Sequence, residues 1–140
     1  KLETIMSTNI ESNRVIINAS QGDVYDYLTD FNNIKELLPQ DKISDWESSL
    51  DHCSFKIQNA AVIPLIKDTV EPKNKINIKS GDNAPFTFTL EVFINEKTDA
   101  TCEAYFLFEG DINPFLKMMV IKPLTNLFNY MATRVQEVHA

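Results

Sequence analysis

The chain has 140 residues and a formal net charge of −7, and it contains nine phenylalanines but only three glycines. A chain of this length buries enough surface to fold without disulfide or metal support, so we predict a single domain over residues 1–140. An acidic surface repels phosphate groups, which excludes nucleic acid as an expected partner. The longest apolar run covers residues 60–66 and is far too short to span a bilayer, so we expect no membrane insertion.

The N-terminus has no apolar signal core, and the two cysteines, Cys53 and Cys102, lack the spacing typical of a metal site. Lone cysteines in apolar strands are usually reduced residues of the core. The sequence therefore predicts a cytoplasmic protein that needs no metal and no cofactor.

The first third of the chain predicts a strand followed by two short helices. Residues 2–18 form one long strand in this interpretation, with a bulge or bend where polar residues interrupt its middle. Ser20 has Asp23 three residues later, a pairing typical of a helix start. Asp30 is placed to begin a second short helix, which Pro39 ends.

From residue 41 the apolar pattern changes to a period of two, which is typical of β-strands. Short polar connections separate six such runs, so consecutive strands are expected to pair antiparallel. The predicted strands cover residues 42–48, 53–59, 62–71, 75–79, 85–95 and 100–110. One side of these strands is apolar and the other is mainly polar, so one face of the sheet needs a cover.

A helix that begins at Pro114 and runs to about Val138 supplies that cover. Its apolar residues recur at helical spacing, and Met119 and Phe128 widen the apolar stripe. Such a helix is about 40 Å long, whereas a ten-residue strand covers only about 33 Å. The sheet therefore has to curl around the helix, which Pro123 bends or loosens. The predicted fold class is α+β, with a curved seven-stranded antiparallel sheet around a long C-terminal helix.

Several segments of the chain share the layout of one known superfamily. They are VIINAS at 15–20, VYDYLTDF at 24–31, LLP at 37–39 with Trp46, DTVEP at 68–72 and NPFLKMM at 113–119. With them the chain resembles the helix-grip fold of the START and pollen-allergen-like superfamily, called SRPBCC, which includes polyketide cyclase/dehydrase-like proteins. The resemblance covers nearly the whole chain, and small bacterial members are the most similar. Its motifs are structural rather than catalytic.

The resemblance implies an apolar cavity between the sheet and the long helix, which members of the superfamily use for lipids, sterols, quinones and polyketides. The residues expected to line it are Phe55, Ile57, Ile63, Leu65, Ile76, Ile78, Phe86, Phe88, Leu90, Cys102, Ala104, Phe106, Phe108, Met119, Leu127 and Met131. The alternative is a solid core filled by the same rings, because aromatic side chains at strand spacing are usually core residues.

Three polar residues are candidates for the cavity wall: Asp68, Lys67 and Tyr27. Pro64 disturbs the strand phase, so Lys67 and Asp68 either face inward, where they would orient the polar end of a ligand, or lie on the rim. Tyr130 is a further candidate donor at the cavity edge.

The two histidines carry no catalytic prediction. His52 is expected in an exposed turn, and His139 is expected near the exposed C-terminus. No paired carboxylates, phosphate-binding loop or nucleophile with a base is visible in the sequence.

Three functions follow from these patterns. The leading hypothesis is binding of a small apolar ligand, such as a lipid, a quinone or a polyketide-like molecule, in the internal cavity. The first alternative is a polyketide cyclase or dehydratase-like enzyme, which would need a polar group pointing into the cavity. The second is a protein-interaction module or homodimer that uses Phe93, Tyr105 and Leu107 on the outer face of the sheet.

Overall fold

The structure, a computed structural model, describes residues 7–57 and 61–140. Its elements in chain order are β1 (Ser7–Glu11), β2 (Val15–Ile17), α1 (Gln21–Thr29), a 3₁₀ helix (Phe31–Leu37), β3 (Ile43–Ser48), β4 (His52–Ile57), β5 (Ala61–Glu71), β6 (Lys75–Ser80), β7 (Phe88–Thr98), β8 (Thr101–Asp111) and α2 (Pro114–Val138). This order confirms the predicted fold class. The predicted strand positions 2–6 and 58–59 lie outside the described residues.

All strand pairs among the described residues are antiparallel, in the order β1-β8-β7-β6-β5-β4-β3. The predicted first strand is divided into β1 and β2, which both pair with β8. Ser12 lies in the break, where its backbone N–H donates to the carbonyl of Phe106 and its hydroxyl accepts from the Phe106 N–H, each at 2.9 Å. The side chain of Ser12 thus replaces a backbone hydrogen bond of the sheet. Together β1, Ser12 and β2 pair with most of one edge of β8.

The two predicted helix starts are present in the structure. The hydroxyl of Ser20 accepts a hydrogen bond from the backbone N–H of Asp23 at 3.1 Å, which begins α1. The carboxylate of Asp30 accepts from the N–H of Asn32 at 3.0 Å and begins the 3₁₀ helix. The apolar side chains of both helices are buried in the core, so these helices close one end of the sheet.

An aromatic cluster fills the space between the sheet and α2. Phe86 contributes from the loop before β7, Phe88 from β7, Phe108 from β8 and Phe128 from α2. The ring centroid of Phe108 lies 5.4 Å from that of Phe88 and 5.4 Å from that of Phe128. Tilted aromatic pairs at this distance stabilise beyond their buried area, so the cluster joins the helix to the sheet.

The second half of α2 is also tethered by hydrogen bonds. The Oδ1 atom of Asn129 accepts from the backbone N–H of Asn13 at 2.8 Å. The Nε2 atom of Gln136 donates to the carbonyl of Ile16 at 2.8 Å. The Nε atom of Arg134 donates to the carbonyl of Glu36 at 3.2 Å, which ties this half of α2 to the 3₁₀ helix.

The first half of α2 has a different environment. Phe115, Met118 and Met119 are 76%, 82% and 61% exposed, and the buried residues of the helix begin only at Leu124. Pro123 lies at this boundary and has no N–H to donate to the carbonyl four residues earlier. The helix is therefore weakest where its packed half meets its exposed half. No helix among the described residues is both long and apolar enough to cross a membrane.

The prediction that Met119 faces the interior is wrong. Met119 and Phe128 are nine residues apart, which is about two and a half helical turns, so their side chains point to opposite sides of α2. Because Phe128 is buried against the sheet, Met119 faces away from it.

Two non-glycine residues have left-handed backbone conformations. Asp45, with φ 56°, lies where the pairing register of β3 and β4 shifts. Lys73, with φ 71°, follows Pro72 in the turn between β5 and β6. The N–H of Asn74 donates to the carbonyl of Glu71 at 2.9 Å, which completes a type II turn with Lys73 at the position that favours glycine.

We expect Lys73→Gly to raise the free energy of unfolding by about 0.5–1 kcal/mol, because it relieves a left-handed conformation that is strained for an L side chain. Urea denaturation measures the change. Asn74→Gly is the control and should lower stability, since Asn74 has no positive φ. A Lys73→Gly protein less stable than the parent would contradict the turn assignment.

We expect Phe128→Ala to lower the free energy of unfolding by about 3–5 kcal/mol, because it leaves a void in the aromatic cluster. The matched control is Phe115→Ala on the exposed half of the same helix, for which a change within about 0.5 kcal/mol is expected. Equal losses in the two variants would show that both halves of α2 pack alike.

Candidate functional site

The space between the sheet and α2 is almost completely filled. Two voids of about 10 Å³ each remain there. A void of this size admits at most about one water molecule, so neither void admits a ligand. All the side chains around both voids are apolar. The open cavity that the resemblance implies is therefore closed in this structure, because phenylalanine rings occupy its place.

Most of the residues predicted to line the cavity surround these two voids: Phe55, Ile63, Leu65, Ile78, Phe86, Phe88, Leu90, Phe106, Phe108, Leu127 and Met131. Ile76, Cys102 and Ala104 are buried in the core but border neither void. The sequence reasoning omitted Leu124, which also borders one of the voids.

An open groove of about 370 Å³ lies where α2 passes the loop before β3. It is lined by Pro39, Asp41, Lys42, Ile57, Lys122, Pro123, Asn126, Leu127 and Tyr130. Of these, Ile57 and Leu127 were predicted as lining residues and Tyr130 as an edge donor. The position of this groove is the main difference between the structure and the predicted site. It lies at the mouth of the expected cavity rather than within it.

The α2 wall of the groove is one face of the helix. Lys122, Asn126 and Tyr130 recur at intervals of four residues, so their side chains lie one above another. Leu127 is buried and borders both the groove and one of the internal voids. Its side chain therefore separates the groove from the interior.

The opposite wall is a short loop that its own hydrogen bonds hold in place. The Nε2 atom of Gln40 donates to the carbonyls of Lys35 and Leu38 at 2.7 and 2.9 Å. The N–H of Lys42 donates to the carbonyl of Pro39 at 2.9 Å, which closes a turn. Pro39 is buried, so the loop presents a fixed apolar surface to α2.

The three polar candidates do not line the groove or either void. Asp68 is exposed and lies 4.0 Å from the Nζ atom of Lys79. The Nζ atom of Lys67 lies 3.1 Å from Oδ1 of Asp51 and 5.3 Å from the ring centroid of Phe31. Both residues lie in the second half of β5. The pairing register of β5 with β6 shifts there, between residues 67 and 70, after Pro64 has disturbed the alternation of the strand.

Tyr27 lies at the junction of α1, the 3₁₀ helix and the end of α2. Its hydroxyl donates to Oε1 of Glu36, and its ring contacts that of His139 edge-on at a centroid distance of 4.9 Å. Burial, followed by the hydrogen bond to Glu36, raises the pKa of Tyr27. These contacts indicate a structural role for Tyr27, because they join α1 to the 3₁₀ helix and to the end of α2.

His52 lies at the exposed start of β4, as predicted. Its Nδ1 atom is 2.6 Å from the hydroxyl of Ser49, and the same hydroxyl accepts from the N–H of Asp51 at 3.3 Å. The hydrogen bonds remain within one turn, so His52 orients the hairpin between β3 and β4. No group of acidic, histidine or cysteine side chains among the described residues has the arrangement of a metal site.

Two of the three outer-face residues predicted for a homodimer, Phe93 and Tyr105, form a stacked pair. Phe93 and Tyr105 stack at a centroid distance of 4.8 Å. The guanidinium of Arg14 lies 4.0 Å from the centroid of Tyr105, and the Nζ atom of Lys75 lies 5.2 Å from that of Phe93. The cations reduce the apolar area that this face presents, and the homodimer stays a prediction.

Both cysteines are free and buried. Burial raises the pKa of the Cys53 thiol to about 12 and also raises the pKa of Cys102. Cys53 lies on β4 and Cys102 on β8, with three strands between them in the sheet.

We expect neither thiol of the folded protein to react with iodoacetamide at about pH 8, because the reactive thiolate is scarce when the pKa is raised and the side chains are buried. Intact-protein mass spectrometry should show no adduct before unfolding and two adducts in concentrated urea. Rapid modification of either cysteine in the folded state would contradict this placement.

Comparison with known proteins extends the description of the fold. No protein-family model matches the sequence, and no curated protein matches it in sequence. Norcoclaurine synthase from Thalictrum flavum matches in structure with a TM-score of 0.73 and 12% identity, over 94% of this chain and 93% of that chain.

Two bacterial structures also match, with somewhat lower TM-scores. A START superfamily protein from Mycobacterium smegmatis matches with a TM-score of 0.66 and 11% identity, over 94% of this chain and 98% of that chain. A protein from Bacillus thuringiensis matches with a TM-score of 0.66 and 13% identity, over 95% and 98% of the two chains. At such identities the similarity establishes the fold alone, and the chain has the helix-grip fold, as its sequence motifs predicted.

Proposed function

We propose that the protein binds a small hydrophobic ligand, with the groove between α2 and the loop before β3 as the binding site. The observation that carries the proposal is the floor of the groove, where Pro39, Ile57 and Leu127 bring buried apolar surface to an opening of about 370 Å³. Small-molecule sites in proteins are concave, mostly apolar and of about this volume.

The groove is contiguous with the apolar interior through a single side chain. Leu127 borders the groove on one side and the void beside Phe55, Phe88 and Met131 on the other. A ligand in the groove therefore places its apolar end against Leu127, the side chain that separates it from the core.

The first half of α2 favours access to this site. Its apolar side chains are at most partly buried, and Pro123 interrupts the helical hydrogen bonds beside the groove. The tethers at Asn129, Arg134 and Gln136 keep the second half in position. Displacement of the segment before Pro123 would thus widen the groove without unfolding the core.

A structural relative supports the proposal in general terms. A structure of norcoclaurine synthase contains dopamine and hydroxybenzaldehyde, with a TM-score of 0.70 to this chain over 98% of its length. The helix-grip fold thus accommodates small aromatic molecules in that protein.

Binding of the neutral fluorescent probe N-phenyl-1-naphthylamine tests the proposal. We expect saturable binding with about micromolar affinity, and at least tenfold weaker binding to Asn126→Trp, whose indole would occupy the groove. Asn126 is exposed, so the substitution should leave the fold unchanged.

Two controls separate the groove from other apolar surfaces. Thr133→Trp places the same ring on an exposed position of α2 outside the groove and should bind the probe like the parent. Met118→Ser removes an apolar group from the exposed half of α2 and should also leave binding unchanged. Probe binding that Met118→Ser abolishes and Asn126→Trp preserves would place the site on the exposed half of α2 and refute the proposal.

A further inference from the structure

Each wall of the groove carries one lysine. Lys42 contributes from the loop before β3, and Lys122 contributes from α2. Both are exposed, and neither takes part in an ion pair among the described residues, whereas the ion pairs that are present use Arg14, Lys67, Lys75, Lys79 and Arg134. The two ammonium groups at the groove therefore have no anionic partner within the described part of the chain.

The surroundings of Lys122 depart from the charge of the whole molecule. The chain has 20 acidic and 13 basic residues, yet the 25-residue stretch 112–136 contains Lys117, Lys122 and Arg134 and no acidic residue. Asp41 is the one carboxylate that lines the groove. The groove is thus a locally basic site on an acidic protein, and such a site attracts anions.

The apolar and polar groups of the groove are separated. Pro39, Ile57 and Leu127 are buried and form the floor, while the lysines, Asn126 and Tyr130 lie toward solvent. The amide of Asn126 and the hydroxyl of Tyr130 are hydrogen-bond donors that complement an anionic oxygen. This arrangement matches a molecule with an apolar body and an anionic end.

Given the proposed function, on which this inference rests, we propose that the ligand is a single-chain amphiphile with an anionic head. Its head, a carboxylate or a phosphate, binds at Lys42 and Lys122, and its chain lies over Ile57 and Leu127. The volume of the groove, about 370 Å³, is within the range of small-molecule sites. A ten-carbon chain with a carboxylate or a phosphate is a suitable test ligand of this class.

Displacement of N-phenyl-1-naphthylamine by decanoate, decyl phosphate and decanol tests the proposal, since the three compounds share one chain and differ in the head. We expect both anions to bind about three- to tenfold more tightly than decanol at low salt. Their advantage should shrink in about 0.5 M NaCl, where screening weakens exposed charge pairs, while decanol binding should not fall. The anion that binds more tightly identifies the head as carboxylate or phosphate.

Three substitutions locate the head. Lys42→Met and Lys122→Met keep an unbranched side chain without the charge, and each should weaken binding of the anions about threefold while leaving decanol binding unchanged. Asp41→Asn removes the opposing charge and should strengthen binding of the anions. Lys97→Met, on the hairpin between β7 and β8 and outside the groove, is the control and should have no effect.

The outcomes distinguish this inference from the proposed function. Equal affinity for decanol and the two anions, unaffected by the lysine substitutions, would overturn the anionic head and leave apolar binding in the groove intact. Failure of the probe and all three compounds to bind would overturn the proposed function and this inference with it. Loss of decanol binding in Lys42→Met or Lys122→Met would also refute the inference. It would show that these lysines support binding through something other than their charge.

Discussion

One helix has to cover the apolar face of an antiparallel sheet of eight strands, and it does so with only half of its length. The second half of α2 is fixed to the sheet by the aromatic cluster around Phe108 and Phe128 and by side-chain hydrogen bonds to the backbone. In the first half, Leu116, Val120 and Ile121 are only partly buried, and Phe115 and Met118 are exposed to solvent. The closed interior, the open groove and the exposed helix surface all follow from this division.

The division also explains why the interior and the groove differ. Where α2 packs on the sheet, phenylalanine rings meet from both sides and leave only small voids of about 10 Å³. Beside Pro123 the helix presents Lys122, Asn126 and Tyr130 to the loop at residues 39–42 instead of buried phenylalanine rings, and the space stays open. The same chain thus has a core with the density of an ordinary protein interior and a groove at its margin.

The sequence predicted the fold more closely than the site. Local signals such as the cap at Ser20 and the alternation along β7 and β8 act over a few residues, so each element could be placed from its own segment. The sequence predicted a bulge or bend in this strand, but it did not show how the break at Ser12 is stabilised. The hydroxyl of Ser12 accepts a hydrogen bond from the N–H of Phe106, which lies 94 residues later in the chain.

The groove depends on an arrangement that the sequence does not display. Pro39 and Lys42 come together with Lys122 and Tyr130 only when α2 passes the loop before β3. The inward face of α2 was assigned from a wide apolar stripe, which wrongly included Met119, because hydrophobicity alone did not show that Met119 lies on the opposite side of the helix from the buried Phe128. The spacing of Lys122, Asn126 and Tyr130 was a usable signal for one wall, but nothing in the pattern of residues marked the opposite wall.

The ends of the sheet have a consequence for behaviour in concentrated solution. An open sheet presents two edge strands, here β1 and β3, and unpaired backbone groups on an edge are templates for strand addition by another chain. Within the described residues β1 covers Ser7–Glu11, and β3 carries the left-handed Asp45 at a register shift with the exposed Glu47 beside it. β3 therefore offers no long flat edge, so the conformation of Asp45, although costly for one residue, protects this edge of the sheet against intermolecular β-pairing.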